Sequence, residues 1–197
     1  RVIGVDYNLA SANNTWNGRY FIHKSFSPTV NRKDISAGIS TEYNTRDFKI
    51  RLSGVYIEDD FRSDLGFIRR TDIFKINPNF ERTFYPKKGK IQKHAISVTP
   101  IFIWKPELGY QNSDYTIFSS WEASFTNNSS FSIEMFNRYT YLYEEFDPTR
   151  TDNAIALPGN KGYTYTSFES SYRSDQRKKF SYRIGTSVGQ FYNGQKY

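Results

Sequence analysis

The stretch that decides the fold is FSIEMFNRYTYLYEEF, residues 131–146. Apolar and aromatic side chains occupy most of its odd positions, from Phe131 through Met135 to Tyr143, while Glu134 and Arg138 lie at even positions. Because successive side chains of a β-strand point to opposite faces, this period of two predicts a strand with one apolar and one polar face. The run is also longer than a usual strand of about five or six residues.

The same alternation continues in DFKIRLSGVY (47–56), DYTIFSSWEASFT (114–126) and KFSYRIGTSVGQFY (179–192), and no stretch favours a helix. About ten antiparallel strands are predicted in this way. Their expected ranges are 2–9, 18–27, 34–44, 47–57, 72–85, 91–104, 114–126, 131–145, 163–173 and 179–192. Pro78 and Pro100 lie inside two of them, almost opposite each other, and a shared bulge or bend is expected there.

The connections between these strands fall into two length classes, and we expect long and short connections to alternate along the chain. The short ones are 28–33, 45–46, 86–90, 127–130 and 174–178, and the longer ones are 10–17, 58–71, 105–113 and 146–162. In an up-and-down meander, successive connections lie at opposite ends of the sheet. Tight turns at one end and loops at the other are typical of outer-membrane barrels.

The composition is also typical of a barrel. Mean hydropathy is low, at −0.71, yet 18% of the residues are aromatic, and no apolar run is long enough for a transmembrane helix. In a barrel only alternate side chains face lipid, and Tyr and Trp suit the two interfacial girdles. The expected fold is therefore all-β, an antiparallel up-and-down transmembrane β-barrel. Residues 1–197 would form a single barrel region of a longer chain, because both ends look cut from a longer protein.

The alternative fold is a soluble β-sandwich, which also alternates polar and apolar positions. Its strands are expected to be shorter, and its connections are not expected to fall into two length classes. Such a chain would act as a soluble carbohydrate-binding module that presents aromatic platforms to sugars.

Charge and residue chemistry exclude several functions. The net charge is +7, but the basic residues are scattered and form no nucleic-acid footprint, so no nucleic-acid partner is expected. His23 and His94 are far apart and have no ligand spacing around them. No nucleophile, base and orienting group can be assembled either, so we expect no enzyme activity, no metal and no cofactor.

The loop DDFRSDLGFIRR, residues 59–70, carries the candidate site residues Phe61, Asp64, Gly66, Phe67, Arg69 and Arg70. One interpretation is a folded-in loop that braces the barrel mouth, with the arginines paired to Asp59, Asp60 or Asp64. The other is a loop that contacts a carboxylated or sugar ligand, because Arg and aromatic side chains suit such ligands. Gly66 is expected to need a positive φ or a close backbone approach.

The motifs GVDYN (4–8) and FRSDLGFIRRTDI (61–73), with the aromatic hairpins that follow, resemble one family of long Bacteroidota outer-membrane proteins. That family has an amino-terminal carbohydrate-binding family 9-like domain and a carboxy-terminal β-barrel domain of unknown function. The resemblance implies that all 197 residues belong to the barrel and that the sugar-binding domain lies upstream. It transfers no functional residue onto this segment.

These observations together predict a protein of the bacterial outer membrane. It would serve as an anchor, pass or capture a glycan or other solute at the cell surface, or act as an accessory subunit of an envelope complex. Its expected partners are outer-membrane lipid and lipopolysaccharide, a glycan, and other envelope proteins. From the alternation, Lys49, Arg51, Arg138 and Arg183 face the lumen, so the interior is expected to be basic and to favour anionic solutes.

Overall fold

The computed structural model describes residues 1–27, 33–63, 66–151 and 154–197, which form one antiparallel sheet of twelve strands. The strands are β1 (Val2–Ala10), β2 (Trp16–Ser25), β3 (Ile35–Asn44), β4 (Phe48–Ile57), β5 (Ile73–Ile76), β6 (Asn79–Phe84), β7 (Ile91–Lys105), β8 (Gln111–Phe125), β9 (Ser130–Leu142), β10 (Lys161–Arg173), β11 (Arg183–Phe191) and β12 (Gly194–Lys196). The strands pair in sequence order, except that β5 and β6 do not pair with each other and lie end to end, both between β4 and β7. A short 3₁₀ turn, Pro106–Leu108, precedes β8. Within these ranges, no helix is long and apolar enough to cross a membrane.

All ten predicted strand regions contain strands, so the all-β antiparallel meander is confirmed. Two details differ from the prediction. The region 72–85 is divided into β5 and β6, and the three-residue β12 forms a final hairpin with β11. The strands are long, as expected: β7 and β8 have 15 residues each.

The break between β5 and β6 lies at Pro78, but the bulge predicted there is not formed. Gly54 pairs with Ile76 before the break, and Arg51 pairs with Asn79 after it, so the register with β4 is unchanged. An extra residue in one strand would have shifted the register. The irregularities lie elsewhere, in the pairing of β7 with β8.

Hydrogen bonds on either side of Pro78 hold the interrupted strand in place. The Asn77 amide donates to the Ser53 carbonyl at 2.8 Å, and the Ser53 hydroxyl donates to the Asn77 carbonyl at 2.7 Å. The Asn79 amide side chain donates to the Thr99 hydroxyl at 2.7 Å. Proline has no amide hydrogen, so the ladder is interrupted while the strand direction is kept.

The connections fall into two groups, one at each end of the sheet. The tight-turn end carries residues 11–15, 45–47, 85–90, 126–129 and 174–182, and the loop end carries 26–34, 58–72, 106–110, 143–160 and the short turn 192–193. Strict alternation of length was wrong at two connections. The first, predicted as a long loop at 10–17, is a tight turn in which the Ser11 amide donates to the Trp16 carbonyl at 2.9 Å. The last, predicted as short at 174–178, covers 174–182 and is longer than 106–110 at the loop end. The short connection predicted at 28–33 falls almost entirely outside the described residues.

The sheet has one apolar and one polar face, because directly paired residues of neighbouring strands share a face. On the apolar face, Tyr20, Ile39, Gly54, Ile76 and Phe102 follow one another across five strands. This face is the exposed one: Ile39 retains 58% of its accessible surface. All twelve strands belong to a single sheet, so the described residues do not form the two packed sheets of the sandwich alternative.

Candidate functional site

The loop of residues 58–72 folds over the polar face of the sheet. Phe61 is its apolar anchor, with only 8% of its surface exposed. The Arg62 amide donates to the Ser25 hydroxyl at 3.1 Å, and the Asp60 amide donates to the Lys33 carbonyl at 2.9 Å. These contacts attach the loop to the ends of β2 and β3.

A cavity of about 390 Å³ lies between this loop and the polar face of β2 and β3. Arg19, His23 and Ser40 line it from the sheet, and Ser63 lines it from the loop. His23 also hydrogen-bonds Asp6 at 2.9 Å, so its side chain is a polar strand residue, as predicted from its isolation in the sequence.

Arg70 fixes the other end of the loop to β8. Its Nη1 donates to Asp114 Oδ2 at 2.7 Å, and its Nη2 donates to the hydroxyl of the buried Ser113 at 3.1 Å. The expected pairing of Arg70 with Asp59 or Asp60 was wrong, and the alternative partner Asp64 lies outside the described residues. Asp59 instead accepts a hydrogen bond from the Thr71 hydroxyl at 3.4 Å. The correct partner is 44 residues away in sequence and becomes a neighbour only once the sheet has formed.

The remaining predicted site residues do not join this contact. Phe67 is 92% exposed, and Arg69 is also exposed. Gly66 does not have a positive φ; a Cβ there would lie 3.1 Å from the Ser63 hydroxyl, so only the close-approach expectation applies. Asp64 lies outside the described residues. The structure therefore brings Phe61 and Arg70 to the sheet and leaves Arg69 at the surface. Gly66 and Phe67 are also exposed, but both line the cavity between the loop and the polar face.

A second set of contacts, not expected from the sequence, joins the loops around Asp72. This side chain is buried, and its residue has φ of 50°, which Asp tolerates better than most residues. Its Oδ1 accepts the Glu107 amide at 3.0 Å, and its Oδ2 lies 3.8 Å from Lys105 Nζ. Glu107 pairs with Lys33 at 2.6 Å, and this hydrogen bond raises the pKa of the Lys33 ammonium. Three connections at the loop end are thus tied together.

An aromatic cluster lies at the loop end beside β10. The ring of Tyr192 lies 5.6 Å from that of Phe146, 5.8 Å from that of Tyr163 and 5.0 Å from that of Tyr165. Burial raises the pKa of the Tyr192 hydroxyl. Tyr163 and Tyr165 are among the few buried apolar side chains of the described chain.

The loop of residues 143–160 has its own internal turn at Asp147. Oδ1 of Asp147 accepts the Thr149 hydroxyl at 2.7 Å and the Thr149 amide at 2.8 Å. The Thr151 amide donates to Oδ2 at 3.3 Å. The hydrogen bond from the Thr149 hydroxyl lowers the pKa of the Asp147 carboxyl, because it favours the ionised form.

The four cations predicted on the lumen side all lie on the polar face, but two of them share one carboxylate. Glu42 lies 3.1 Å from Arg51 and 3.6 Å from Lys49. Arg138 donates to the Ser167 hydroxyl at 3.3 Å, and Arg183 is exposed. With one carboxylate between two cations, Glu42 only partly offsets the charge of Lys49 and Arg51, so the set of four keeps a net positive charge.

Two rows of aromatic side chains cross the apolar face, one near each end of the strands. At the loop end the rings of Phe74 and Trp104 are 5.6 Å apart, and those of Tyr115 and Tyr139 are 5.4 Å apart. We call the set Phe74, Phe102, Trp104, Tyr115 and Tyr139 the loop-end aromatic row. Aliphatic side chains such as Ile39 lie between the two rows.

At the tight-turn end the corresponding set is Trp16, Tyr43, Phe84, Trp121 and Phe131, the tight-turn aromatic row. Trp16 and Tyr43 are 4.9 Å apart, and Trp121 and Phe131 are 6.1 Å apart. His94 lies within this row, stacked on Phe84 at 4.9 Å and accepting the Trp121 indole hydrogen at 3.3 Å. Both histidines are thus engaged in strand contacts, and they lie on opposite faces of the sheet.

Among the residues that the structure covers, no group of three His, Asp or Glu side chains could hold a metal ion. Comparison with known proteins gives no match to a protein-family model, to a curated protein or to a solved structure. Inference about function therefore has to start from the two faces of the sheet and the contacts at its loop end.

Proposed function

We propose that this chain is part of a bacterial outer-membrane β-barrel that anchors the protein and encloses a polar passage for a solute. The observation that carries the proposal is the exposed apolar face bounded by two aromatic rows. Exposed apolar side chains are normal when scattered singly, whereas a contiguous face rarely remains exposed to water. In a bilayer, lipid chains would contact the aliphatic side chains between the rows, and the two aromatic rows would lie at the membrane–water interfaces.

The edges of the sheet also favour a barrel. Within the described chain, β1 pairs only with β2, and β11 has only the three-residue β12 on its outer side. An open edge presents unpaired backbone groups, and no such edge is tolerated in the hydrocarbon region. Further strands between β1 and β11 would close the sheet, with the polar face lining the interior.

The loop end would form the mouth of this barrel. The loop of residues 58–72, anchored by Phe61 and held to β8 by Arg70, covers part of the polar face and would narrow the opening. The net positive charge of Lys49, Arg51, Arg138 and Arg183 on the polar face would give the passage a preference for anionic solutes, among them acidic glycans. Reversal potentials measured in a planar bilayer test this preference, and cation selectivity would contradict it.

Membrane partitioning of the expressed chain tests the barrel itself. We expect the protein to fractionate with outer membrane and to migrate differently on a gel before and after boiling. A soluble protein with no heat-dependent shift would refute the proposal. It would favour the alternative of a soluble carbohydrate-binding module, with the aromatic rows as sugar platforms.

A further inference from the structure

The charged residues of the connections are divided unequally between the two ends of the sheet. Connections at the tight-turn end carry two carboxylates, Asp47 and Asp175. Their cations are Arg46, Lys87, Lys88, Lys90, Arg177, Lys178 and Lys179. We call these seven cations the basic rim. The turns at 11–15 and 126–129 carry no charge, so the rim is confined to three turns.

The loop end has the opposite balance. The described residues of its connections, 26–34, 58–72, 106–110, 143–160 and 192–193, contain nine Asp and Glu against five Lys and Arg. An excess of five positive charges at one end thus faces an excess of four negative charges among the described residues of the other. Net charge alone, +7 for the whole chain, hides this asymmetry.

The basic rim is exposed, and few of its charges are compensated. All seven side chains are exposed, and the ion pair between Arg177 and Asp175, at 3.2 Å, is the one that the described residues show for the rim. The guanidinium of Arg46 lies 4.5 Å from the ring centre of Tyr85 instead of beside a carboxylate. Most of the rim is therefore free to bind an anion.

The rim lies directly beyond the tight-turn aromatic row. On the apolar face, Arg82 places its guanidinium 3.7 Å from the ring centre of Phe48 and 5.3 Å from that of Phe84. The Thr126 amide donates to the Lys90 carbonyl at 2.9 Å, which holds the turn of residues 85–90 beside the end of β8. In a bilayer, cations just outside an aromatic girdle reach the depth of the lipid phosphates.

We propose that the basic rim binds the phosphate groups of anionic phospholipids, so that the tight-turn end lies in the leaflet rich in these lipids. This inference rests on the proposed membrane function. Lysine and arginine clusters attract anionic headgroups, and the acidic loop end would be repelled by them. The difference in sign between the two ends therefore determines the orientation as well as the lipid preference.

The positions of the three tryptophans allow a direct test. Trp16 and Trp121 belong to the tight-turn aromatic row, and Trp104 belongs to the loop-end row. The full chain is prepared with Trp121 or Trp104 as its single tryptophan, the others being changed to Phe. Each form is inserted into phosphatidylcholine vesicles that contain a small fraction of brominated phosphatidylglycerol or brominated phosphatidylcholine, and quenching by the two lipids is compared.

We expect brominated phosphatidylglycerol to quench Trp121 more strongly than brominated phosphatidylcholine does, and the two lipids to quench Trp104 equally. The double variant Lys87→Gln/Lys88→Gln should reduce the preference at Trp121. The underlying lipid affinity should fall about fivefold for each lysine that contacts a headgroup. High salt should have the same effect, because exposed charges are screened. The matched control Arg150→Gln/Lys161→Gln, which removes two exposed cations near the loop end, should leave the preference unchanged.

Several results would overturn the inference. Equal quenching of Trp121 by the two lipids would show that the rim does not recognise headgroup charge. An acidic protein would then be the better candidate for its partner. A preference of the same size at Trp104, or its loss in the control variant, would show that the rim is not responsible. Absence of quenching by either lipid would refute the membrane function together with this inference. Heat-modifiable mobility checks that each variant is folded. If a single-tryptophan form does not fold, the chain with all three tryptophans is compared with its Lys87→Gln/Lys88→Gln variant.

Discussion

Ile39→Arg should destabilise the folded protein in a bilayer by about 2–3 kcal/mol. Ile39 lies midway along β3 on the apolar face, between Tyr20 and Gly54, and is 58% exposed. Arginine facing lipid costs about 2–4 kcal/mol at the bilayer midplane and about 0–1 near the interfaces. The same change on a water-exposed surface usually alters stability by less than about 0.5 kcal/mol. The magnitude therefore distinguishes lipid from water at this position.

Urea unfolding of the chain refolded into phosphatidylcholine vesicles measures this difference. Ile155→Arg is the matched control, because Ile155 is 95% exposed in the loop of residues 143–160 and the chemical change is identical. We expect the control to unfold with the wild-type midpoint and Ile39→Arg to unfold at clearly lower urea. If the two variants unfold alike, the apolar face does not contact lipid and the reasoning is refuted.

Three further predictions concern the loop end. Phe61→Ala should release the loop of residues 58–72 from the sheet and accelerate tryptic cleavage within it. Unchanged cleavage would show that the buried ring does not anchor the loop. A double-mutant cycle of Arg70→Ala and Asp114→Ala, measured by urea unfolding, should give a coupling free energy of about 1 kcal/mol, because the ion pair is hydrogen-bonded but partly exposed. Additive effects of the two substitutions would show that the pair does not contribute to stability. The hydrogen bond from the Thr149 hydroxyl lowers the pKa of the Asp147 carboxyl in the folded protein below its value in the unfolded chain. The carboxylate therefore stabilises the turn fully above the unfolded-state pKa, and this stabilisation is lost as pH falls through the folded-state pKa. A carboxyl NMR titration should show a midpoint lower than in an unfolded peptide of the same sequence, and equal midpoints would contradict the contact.

The strands and their two faces could be predicted from the sequence, because alternation is a local property. The spacing alone placed Lys49 and Arg51 on the face opposite Ile50, and the pairing of Arg51 with Glu42 agrees with this. At Pro78 the sequence predicted an irregularity in the strand, which is present, and a bulge, which is not formed. Proline removes a ladder donor wherever it lies, but only the neighbouring strands decide whether the register shifts.

The contacts at the loop end could not be predicted in the same way. Arg70 had three aspartates close in sequence, and its actual partner, Asp114, is brought near by the order of the strands. Phe61 and Phe67 are also equivalent in the sequence pattern, and only the path of the loop buries one and exposes the other. The short β12 was missed because GQK contains no alternation to detect.

The interruption at Pro78 also affects how the sheet can open. Pro78 and Pro100 contribute no amide hydrogen, so the side chains of Ser53 and Asn79 carry hydrogen bonds across the region where the ladder is missing. Backbone amides beside such a gap are expected to exchange with solvent sooner than those within a continuous ladder. We therefore expect the four-residue β5 to lose its pairing with β4 and β7 before the longer strands do. An opening confined to β5 would change the spacing of β4 and β7 at the loop end and leave the tight-turn end paired.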